Sequence, residues 1–362
     1  MPFRTIFGHR HLLRLLSRSI AGGSLPPSLI FAGPDGVGKK RTAIAVAQAV
    51  NCLAPVASGQ WPVAGGQAPG DRGAAAEQAT ADLPVDACGE CPACRRIERG
   101  LYPDVLIVEP GDTGSIRIDP VREVIAETAY RPFEGRRRVI IVDEADRMGA
   151  DAQDALLKSL EEPPPTSMFV LVSARADTLA PTVRSRCSRL RFGQLGPAEI
   201  ARALVRDHGY TEEDARALAA LAGGSLARAL EAVSSDFSEV RAAACRTLGQ
   251  VAAAADARGR LDSVRELVGR RDAGSTAGSD REDLARRLAV LSVLFRDLAI
   301  LSTRAHGDAL VNLDLTSELK SLSRSYGRDR AVRAFSAADR ALSALRRNAS
   351  PKIVADWLVL QL

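Results

Sequence analysis

Two hydrophobic patterns divide the chain. Up to about residue 195, short apolar runs alternate with stretches in which apolar residues recur every three or four positions, which predicts strands alternating with helices. The runs SLIFAG, DVLIVEP, RRVIIVDEAD and SMFVLVSA predict four strands, and ADAQDALLKSLE predicts a helix that ends before Pro163. This order is typical of an α/β domain with a doubly wound parallel sheet.

Beyond Gly196 every segment has the helical pattern. Residues 196–236 predict a compact three-helix unit, and residues 237–362 predict a further all-α domain. Two apolar faces in this last part predict helix-on-helix packing. The first consists of Leu284, Leu288, Leu291, Leu294 and Leu298, and the second of Val332, Phe335, Ala338, Leu342 and Leu345. RRDAGSTAGSDRE between them predicts a mobile connection, and Ser350 with Pro351 predicts the start of a last helix.

Composition changes this picture little. Residues 54–87 are rich in Ala, Gly, Pro and Gln without an apolar period, so we expect a flexible insertion with one large apolar residue, Trp61. The formal charge of +5 permits contact with nucleic acid without requiring it. The chain has no signal-peptide pattern and no uncharged apolar segment of membrane-spanning length. We therefore expect a cytoplasmic protein with no membrane partner.

Three cysteines lie close together in CGECPAC, at Cys88, Cys91 and Cys94. In a reducing compartment this spacing favours zinc over disulfides, because CxxC turns direct two sulfurs at one ion. Cys52 is the candidate fourth ligand, with Cys187 or a histidine as the alternative. A site with four protein ligands has no open position, so the predicted role is structural. Cys245 is predicted to be a buried residue.

GPDGVGKK follows the first predicted strand and precedes a helix, as a phosphate-binding P-loop does. In a working site the backbone from Gly33 through Gly36 to Gly38 would hold phosphates, and Lys39 would reach the β and γ phosphates. Asp143 would help to bind magnesium and Glu144 would orient water. Lys40, however, occupies the position of the Ser or Thr that binds magnesium. We expect no magnesium here and leave ATP binding open.

Thr42 does not replace the missing hydroxyl, because two residues along a helix correspond to a rotation of about 200°. If Lys40 pointed to solvent, water could replace the lost ligand and weak hydrolysis would remain. The alternative is a site that has lost hydrolysis, since losing a metal ligand lowers rates strongly.

Four blocks carry a resemblance to a known family: GPDGVGKK, the cysteine cluster with YPDV, PFEGRRRVIIVDEADRMGADAQDALLKSLEEPPP, and LAPTVRSRCSRLRF. With ALRRNASPKIVADWLVLQL at the end, they make the chain similar to delta-prime subunits of bacterial DNA polymerase III clamp loaders, which are AAA+ proteins. The resemblance implies a AAA+ domain at 1–195 with a zinc module at about 52–94. It also implies a lid at 196–236 and a C-terminal oligomerisation collar at 237–362.

The resemblance also implies roles for individual residues. Cys52, Cys88, Cys91 and Cys94 match the family's zinc ligands, and Arg186 of the SRC motif matches an arginine that reaches the ATP of a neighbouring subunit. Active members have GSLRDAL in the lid, whereas this chain reads GSLARAL, with Ala227 in place of the arginine and Arg228 shifted by one. Two positions that contact nucleotide in the family, Lys40 and Ala227, are therefore altered, and Arg186, which matches the arginine that reaches a neighbouring subunit, is retained.

These features predict a subunit that does not hydrolyse ATP itself and supplies an arginine finger within a polymerase holoenzyme. The implied partners are the gamma/tau and delta subunits, with the sliding clamp and primed DNA reached through the complex. One alternative is an active ATPase of the gamma/tau type, which the retained Asp143 and Glu144 would suit. Another is a nucleic-acid-binding module built on the zinc cluster and Arg95, Arg96 and Arg99.

Overall fold

The computed structural model describes residues 2–57, 83–111, 114–231, 237–253, 256–262, 277–303, 310–346 and 349–362. The chain divides into two compact units, Met1–Gly196 and Pro197–Leu362. Trp61, most of the predicted 54–87 insertion and the end of the predicted lid at 232–236 lie outside the described residues.

The described residues of the first unit form seven strands. They are β1 (Ser28–Ala32), β2 (Val56–Ala57), β3 (Val85–Asp86), β4 (Val105–Val108), β5 (Arg138–Val142), β6 (Ser167–Ser173) and β7 (Ser188–Arg191). Its helices are α1 (Arg10–Ala21), α2 (Lys39–Asn51), α3 (Pro92–Glu98), α4 (Ile118–Glu127), α5 (Ala150–Glu161) and α6 (Pro181–Arg184). Short 3-10 turns cover Phe3–Thr5, Ala145–Arg147 and Ala176–Thr178.

Five strands form one parallel sheet in the order β4-β5-β6-β1-β7. The predicted α/β sheet is thus confirmed, with one strand more than the four apolar runs. β7, with the sequence SRLR, is mostly exposed and lies at the edge of the sheet, where a strand needs no continuous apolar run. The ends of the predicted insertion are also ordered, because Val56 and Ala57 pair antiparallel with Asp86 and Val85.

Alternate residues of the central strands supply two hydrophobic cores, one on each face of the sheet, because side chains alternate along a strand. Leu29 and Phe31 of β1 pack on one face with apolar residues of α1, α2 and α3. Ile30 and Ala32 pack on the other face with apolar residues of α4 and α5. Leu156 and Leu160 of α5 are buried there, and Leu157 is partly buried. All five strands end at the same edge, so the loops that follow them lie together.

The second unit is helical throughout its described residues, as predicted. Its helices are α7 (Pro197–His208), α8 (Glu212–Leu221), α9 (Leu226–Glu231), α10 (Phe237–Ala253), α11 (Ala257–Asp262), α12 (Ala277–Ser302), α13 (Thr316–Arg346) and α14 (Pro351–Gln361). The α13 backbone is non-helical at Gly327. Arg241, only 3% exposed, pairs with Asp214 at 3.3 Å and with Asp314, which joins α8 and α10 to the start of α13.

The apolar faces predicted for the second unit are confirmed in part. All five leucines of the α12 face are buried. On α13, however, Val332 and Phe335 are exposed, and the buried face consists mainly of alanines, such as Ala334 and Ala338, together with Leu345. The prediction assigned Val332 and Phe335 to the buried face, but alanines form much of that face instead. α12 also begins at Ala277, inside the stretch predicted to be a mobile connection.

Candidate nucleotide-type site and cysteine cluster

The P-loop connects β1 to α2 at the carboxyl edge of the sheet. Gly36 and Gly38 have φ values of 73° and 101°, which glycine adopts readily. Gly33 is closely packed, because a Cβ added there would lie 2.2 Å from the carbonyl oxygen of Phe192. The backbone thus has the glycine-rich turn into a helix N-terminus that is typical of a phosphate-binding loop.

Lys39 folds back onto this loop. Its Nζ donates to the carbonyl oxygens of Gly33 at 2.7 Å and Pro34 at 2.6 Å, and it lies 3.6 Å from a carboxylate oxygen of Asp35. The side chain is 6% exposed. Burial lowers the pKa of Lys39 below its ordinary value, although Asp35 opposes the shift. The lysine expected to reach phosphate is therefore bound to the loop's own carbonyls.

Lys40 lies next to Asp143, the candidate metal ligand. Its Nζ is 3.0 Å from Asp143 Oδ2 and also pairs with the carboxylate of Glu109. Burial lowers the pKa of Lys40, but hydrogen bonds to Glu109 and Asp143 outweigh it and raise the pKa overall. The alternative in which Lys40 points freely to solvent is wrong. An ammonium held against Asp143 does not fit a bound magnesium ion.

The other polar groups of this edge are also engaged. Thr42 Oγ1 donates to the carbonyl oxygen of Gly38 at 2.9 Å, so its hydroxyl is engaged within the first turn of α2. Glu144 has a φ of 48° and pairs with Arg147. Asp146 accepts hydrogen bonds from Ser173 Oγ at 2.9 Å and Ala174 N at 3.0 Å. Burial opposes ionisation of Asp146, but these bonds lower its pKa overall.

Glu109 was missed in the sequence. It directly follows β4, and carboxyl ends of neighbouring parallel strands meet at one edge, so its position after the run DVLIV was the available signal. In the described contacts Asp143 Oδ2 pairs with Lys40, and Asp143 Oδ1 accepts from Glu144 N at 3.1 Å.

Arg186 follows the short helix α6 and is held within its own chain. Its guanidinium donates through NH1 to the carbonyl oxygen of Thr182 at 2.8 Å, and through NH2 it pairs with the carboxylate of Glu161 at the end of α5. The Arg186 side chain is 33% exposed. Glu161 is a second residue that has no local signal in the sequence. Arg189 nearby pairs instead with Asp177 at 2.9 Å.

The four cysteines predicted as metal ligands come together. The sulfur atoms of Cys52, Cys88, Cys91 and Cys94 all lie within 4.8 Å of one another. Cys52 is 3.5 Å and Cys94 4.0 Å from Cys88, sulfur to sulfur. A tetrahedron of sulfurs at the usual zinc distance of about 2.3 Å has edges of about 3.8 Å, so this set fits zinc. Cys187 and Cys245 are buried elsewhere.

Backbone N–H donors favour thiolates at these sulfurs, whereas burial opposes them. The N–H groups of Glu90 and Cys91 point at the Cys88 sulfur at 3.4 and 3.3 Å, which would stabilise a thiolate. Burial opposes ionisation of Cys91, but backbone N–H groups of Cys94 and Leu53 lower its pKa to about 6. Burial raises the pKa of Cys94. A cation would compensate for the cost of buried thiolates.

The cysteine cluster is tied to the rest of the first unit. Gln48 Nε2 of α2 donates to the carbonyl oxygen of Cys94 at 2.7 Å. Asp86, fully buried, accepts from Phe3 N at 2.8 Å and Arg4 N at 3.1 Å, and Arg4 donates to the carbonyl oxygen of Cys88 at 2.7 Å. The N-terminal segment therefore depends on the loop that carries the cysteines.

The family model described as DNA polymerase III, delta subunit, matches residues 73–196. A delta-prime subunit of DNA polymerase III from Pseudomonas aeruginosa is 32% identical over 198 residues, which cover 53% of this chain and 51% of that protein. The delta-prime subunit of Bacillus subtilis is 31% identical, over 64% of this chain and 61% of that protein. The chain is therefore similar to DNA polymerase III subunits of the delta-prime kind.

The chain is also similar to other kinds of DNA polymerase III subunit. The tau subunit of Escherichia coli is 27% identical over 233 residues, which cover 63% of this chain and 32% of that protein. The matched region spans about half the length of the first delta-prime relative and less of the tau subunit. Among the described residues, no helix combines the length and the hydropathy needed to cross a membrane.

Proposed function

We propose that the chain is a delta-prime-type clamp-loader subunit that assembles with AAA+ partners of the gamma/tau and delta kinds. In this role the complex loads a sliding clamp onto primed DNA. The chain does not hydrolyse ATP itself and supplies Arg186 to the nucleotide site of a neighbour. The observation that carries the proposal is an asymmetry: Lys40 pairs with Asp143 in the chain's own site, while Arg186 keeps a partly exposed guanidinium.

The local site supports the absence of hydrolysis. Catalysis by a P-loop enzyme requires a metal that bridges phosphates and neutralises developing charge. Asp143, the candidate metal ligand, is paired with Lys40 at 3.0 Å. Lys39 donates to Gly33 and Pro34 carbonyls, as a loop without phosphate allows. Magnesium therefore has no part in the proposed role of this site, and ATP binding is not required for it.

The contacts of Arg186 support a role outside its own site. A guanidinium has a planar fork of donors that matches carboxylate and phosphate oxygens alike. In the isolated chain the carboxylate of Glu161 fills one side of this fork. When a neighbour's triphosphate approaches, its oxygens replace that carboxylate and Arg186 stabilises charge on the transferring phosphoryl group.

Zinc has a structural role in this proposal. Cys52, Cys88, Cys91 and Cys94 would hold it with four thiolates, which leave no open position for a substrate. The ion would fix α3 and the loop before it against α2, where Gln48 bonds to Cys94.

Substitution of the proposed finger tests this function in the reconstituted complex. Arg186→Ala is expected to leave assembly intact and to lower DNA-stimulated ATP hydrolysis at the neighbouring site by on the order of 10³-fold. Arg189→Ala is the matched control, because Arg189 lies three residues away and pairs with Asp177. Unchanged hydrolysis with Arg186→Ala, or an equal loss with Arg189→Ala, would contradict the trans role.

The second candidate is an active ATPase of the gamma/tau type. It is favoured by the similarity to tau subunits and by the presence of Asp143 and Glu144 after β5. It predicts that the purified chain turns over ATP with magnesium and loses this activity on Lys39→Ala. The proposal made above predicts no turnover in either protein.

A further inference from the structure

The charged cluster around Lys40 joins three elements. Lys40 lies in the first turn of α2, Glu109 follows β4, and Asp143 follows β5. β4 and β5 are neighbours in the sheet, whereas β1, which leads into α2, is separated from β5 by β6. The Lys40 ammonium therefore connects α2 to the ends of β4 and β5, two strands that come later in the chain.

Lys40 forms its ion pairs with the carboxylates of Glu109 and Asp143. The cavity beside it is lined by Lys40, Glu109, Asp143, Glu144 and Arg147, with Pro110, Gly111 and Gly114. Glu144 pairs with Arg147, whereas Glu109 and Asp143 pair with Lys40. Asp143 is only 16% exposed, and without Lys40 its carboxylate would lose the cation that lies 3.0 Å away.

A divalent cation does not fit beside this ammonium. Magnesium binds carboxylate oxygens at about 2.0–2.1 Å in near-octahedral geometry, so an ion on Asp143 Oδ2 would lie within about 5 Å of Lys40 Nζ. Two cations at this distance repel, and the ammonium cannot act as a ligand because it has no lone pair. The residues present thus disagree with the metal that a P-loop site implies.

We propose that Lys40 is a built-in substitute for the metal ion, pairing with Asp143 and Glu109 so that this edge of the sheet is stabilised without magnesium. The inference adds a detail to the proposed function. It rests on that function in one respect, namely that this site does not hydrolyse ATP. It explains why Asp143 is present without a catalytic duty, since the carboxylate is the partner of Lys40. It also gives Glu109 a role, as the second counter-charge of the same ammonium.

A double-substitution cycle on the isolated chain tests the pairing. Lys40→Met is expected to lower the melting temperature by about 2–4 °C, because it leaves the Asp143 carboxylate without its cation. Asp143→Asn in the Lys40→Met background is expected to recover part of this loss, so that the two effects are not additive. Lys158→Met, which removes an exposed lysine of α5, is the matched control and is expected to change little. Additive effects of Lys40→Met and Asp143→Asn would overturn the inference.

The magnesium response provides the second measurement. Melting of the unaltered chain is expected to be insensitive to millimolar magnesium, with or without ATP. Lys40→Thr, which restores a hydroxyl ligand, is expected to melt lower without magnesium and to be stabilised by magnesium with ATP. Stabilisation of the unaltered chain by magnesium that Asp143→Asn abolishes would also overturn the inference. Neither measurement uses partner subunits or ATP turnover, so its failure is distinct from failure of the proposed function.

Discussion

Removing zinc from the four-cysteine cluster is expected to unfold the loop and helix that carry it and to destabilise the first unit. The magnitude follows from what the cluster holds in place. Leu83 and Ile97, which flank the three close cysteines, are 5% and 2% exposed and belong to the core under the sheet. Each buried side chain of this size contributes about 1.5–3 kcal/mol, so uncovering both costs roughly 3–6 kcal/mol.

The assay is thermal unfolding of the purified chain before and after chelation, with zinc content measured on the same samples. A loss of 3–6 kcal/mol corresponds to a lower melting temperature by about 6–24 °C for a unit of this size. Cys94→Ser is expected to lower zinc content and stability together, whereas Cys245→Ala, outside the cluster, is expected to leave zinc content unchanged. The reasoning fails if the chain loses its zinc completely and melts at the same temperature.

Two further predictions concern packing and pH. Gly33→Ala places a Cβ 2.2 Å from the Phe192 carbonyl oxygen and is expected to lower the free energy of unfolding by about 3 kcal/mol or more, measured with denaturant. Gly38→Ala meets no atom within 4 Å and is expected to lower it by about 1–2 kcal/mol, because its φ is 101°. Equal losses for the two variants would contradict the packing argument. Buried Asp104 has its pKa lowered because backbone N–H groups of Glu134, Phe133 and Gly135 and the Arg138 guanidinium outweigh desolvation. Since its folded-state pKa is depressed, the stability it contributes is present above about pH 4 and lost as the pH falls below that value. Asp104→Asn is expected to cost about 3–5 kcal/mol at pH 7 and less at pH 3 by chemical denaturation, and a pH-independent difference would contradict the charge assignment.

The sequence predicted the parts of the fold whose physical signal is local. Buried parallel strands such as β1, β5 and β6 are continuous apolar runs, and the CxxC spacing directs sulfurs at one point. β7 was not predicted, because an edge strand reading SRLR has no apolar run and is recognisable only from its pairing with β1. On α13 two residues of the predicted apolar face, Val332 and Phe335, are exposed, and alanines such as Ala334 and Ala338 supply much of the buried face.

In the candidate site, too, the sequence predicted what depends on local motifs and missed contacts between distant residues. The glycines, Lys39, Lys40 and Asp143 could be selected from motif spacing, and the structure places them at one edge of the sheet. The contacts that decide their chemistry are between residues far apart in the chain. Lys40 and Glu109 are 69 positions apart, and nothing in either local segment indicates that they pair. Glu161, which pairs with Arg186, has no local signal beyond its position at a helix end for the same reason.

The most direct test of the central claim compares two substitutions in the same reconstituted clamp-loader complex. Lys39→Ala alters the chain's own P-loop, and Arg186→Ala alters the proposed finger. DNA-stimulated ATP hydrolysis is measured for both complexes after assembly has been verified. The account predicts that Lys39→Ala leaves hydrolysis unchanged and that Arg186→Ala lowers it strongly. Loss of hydrolysis with Lys39→Ala and normal hydrolysis with Arg186→Ala would contradict it.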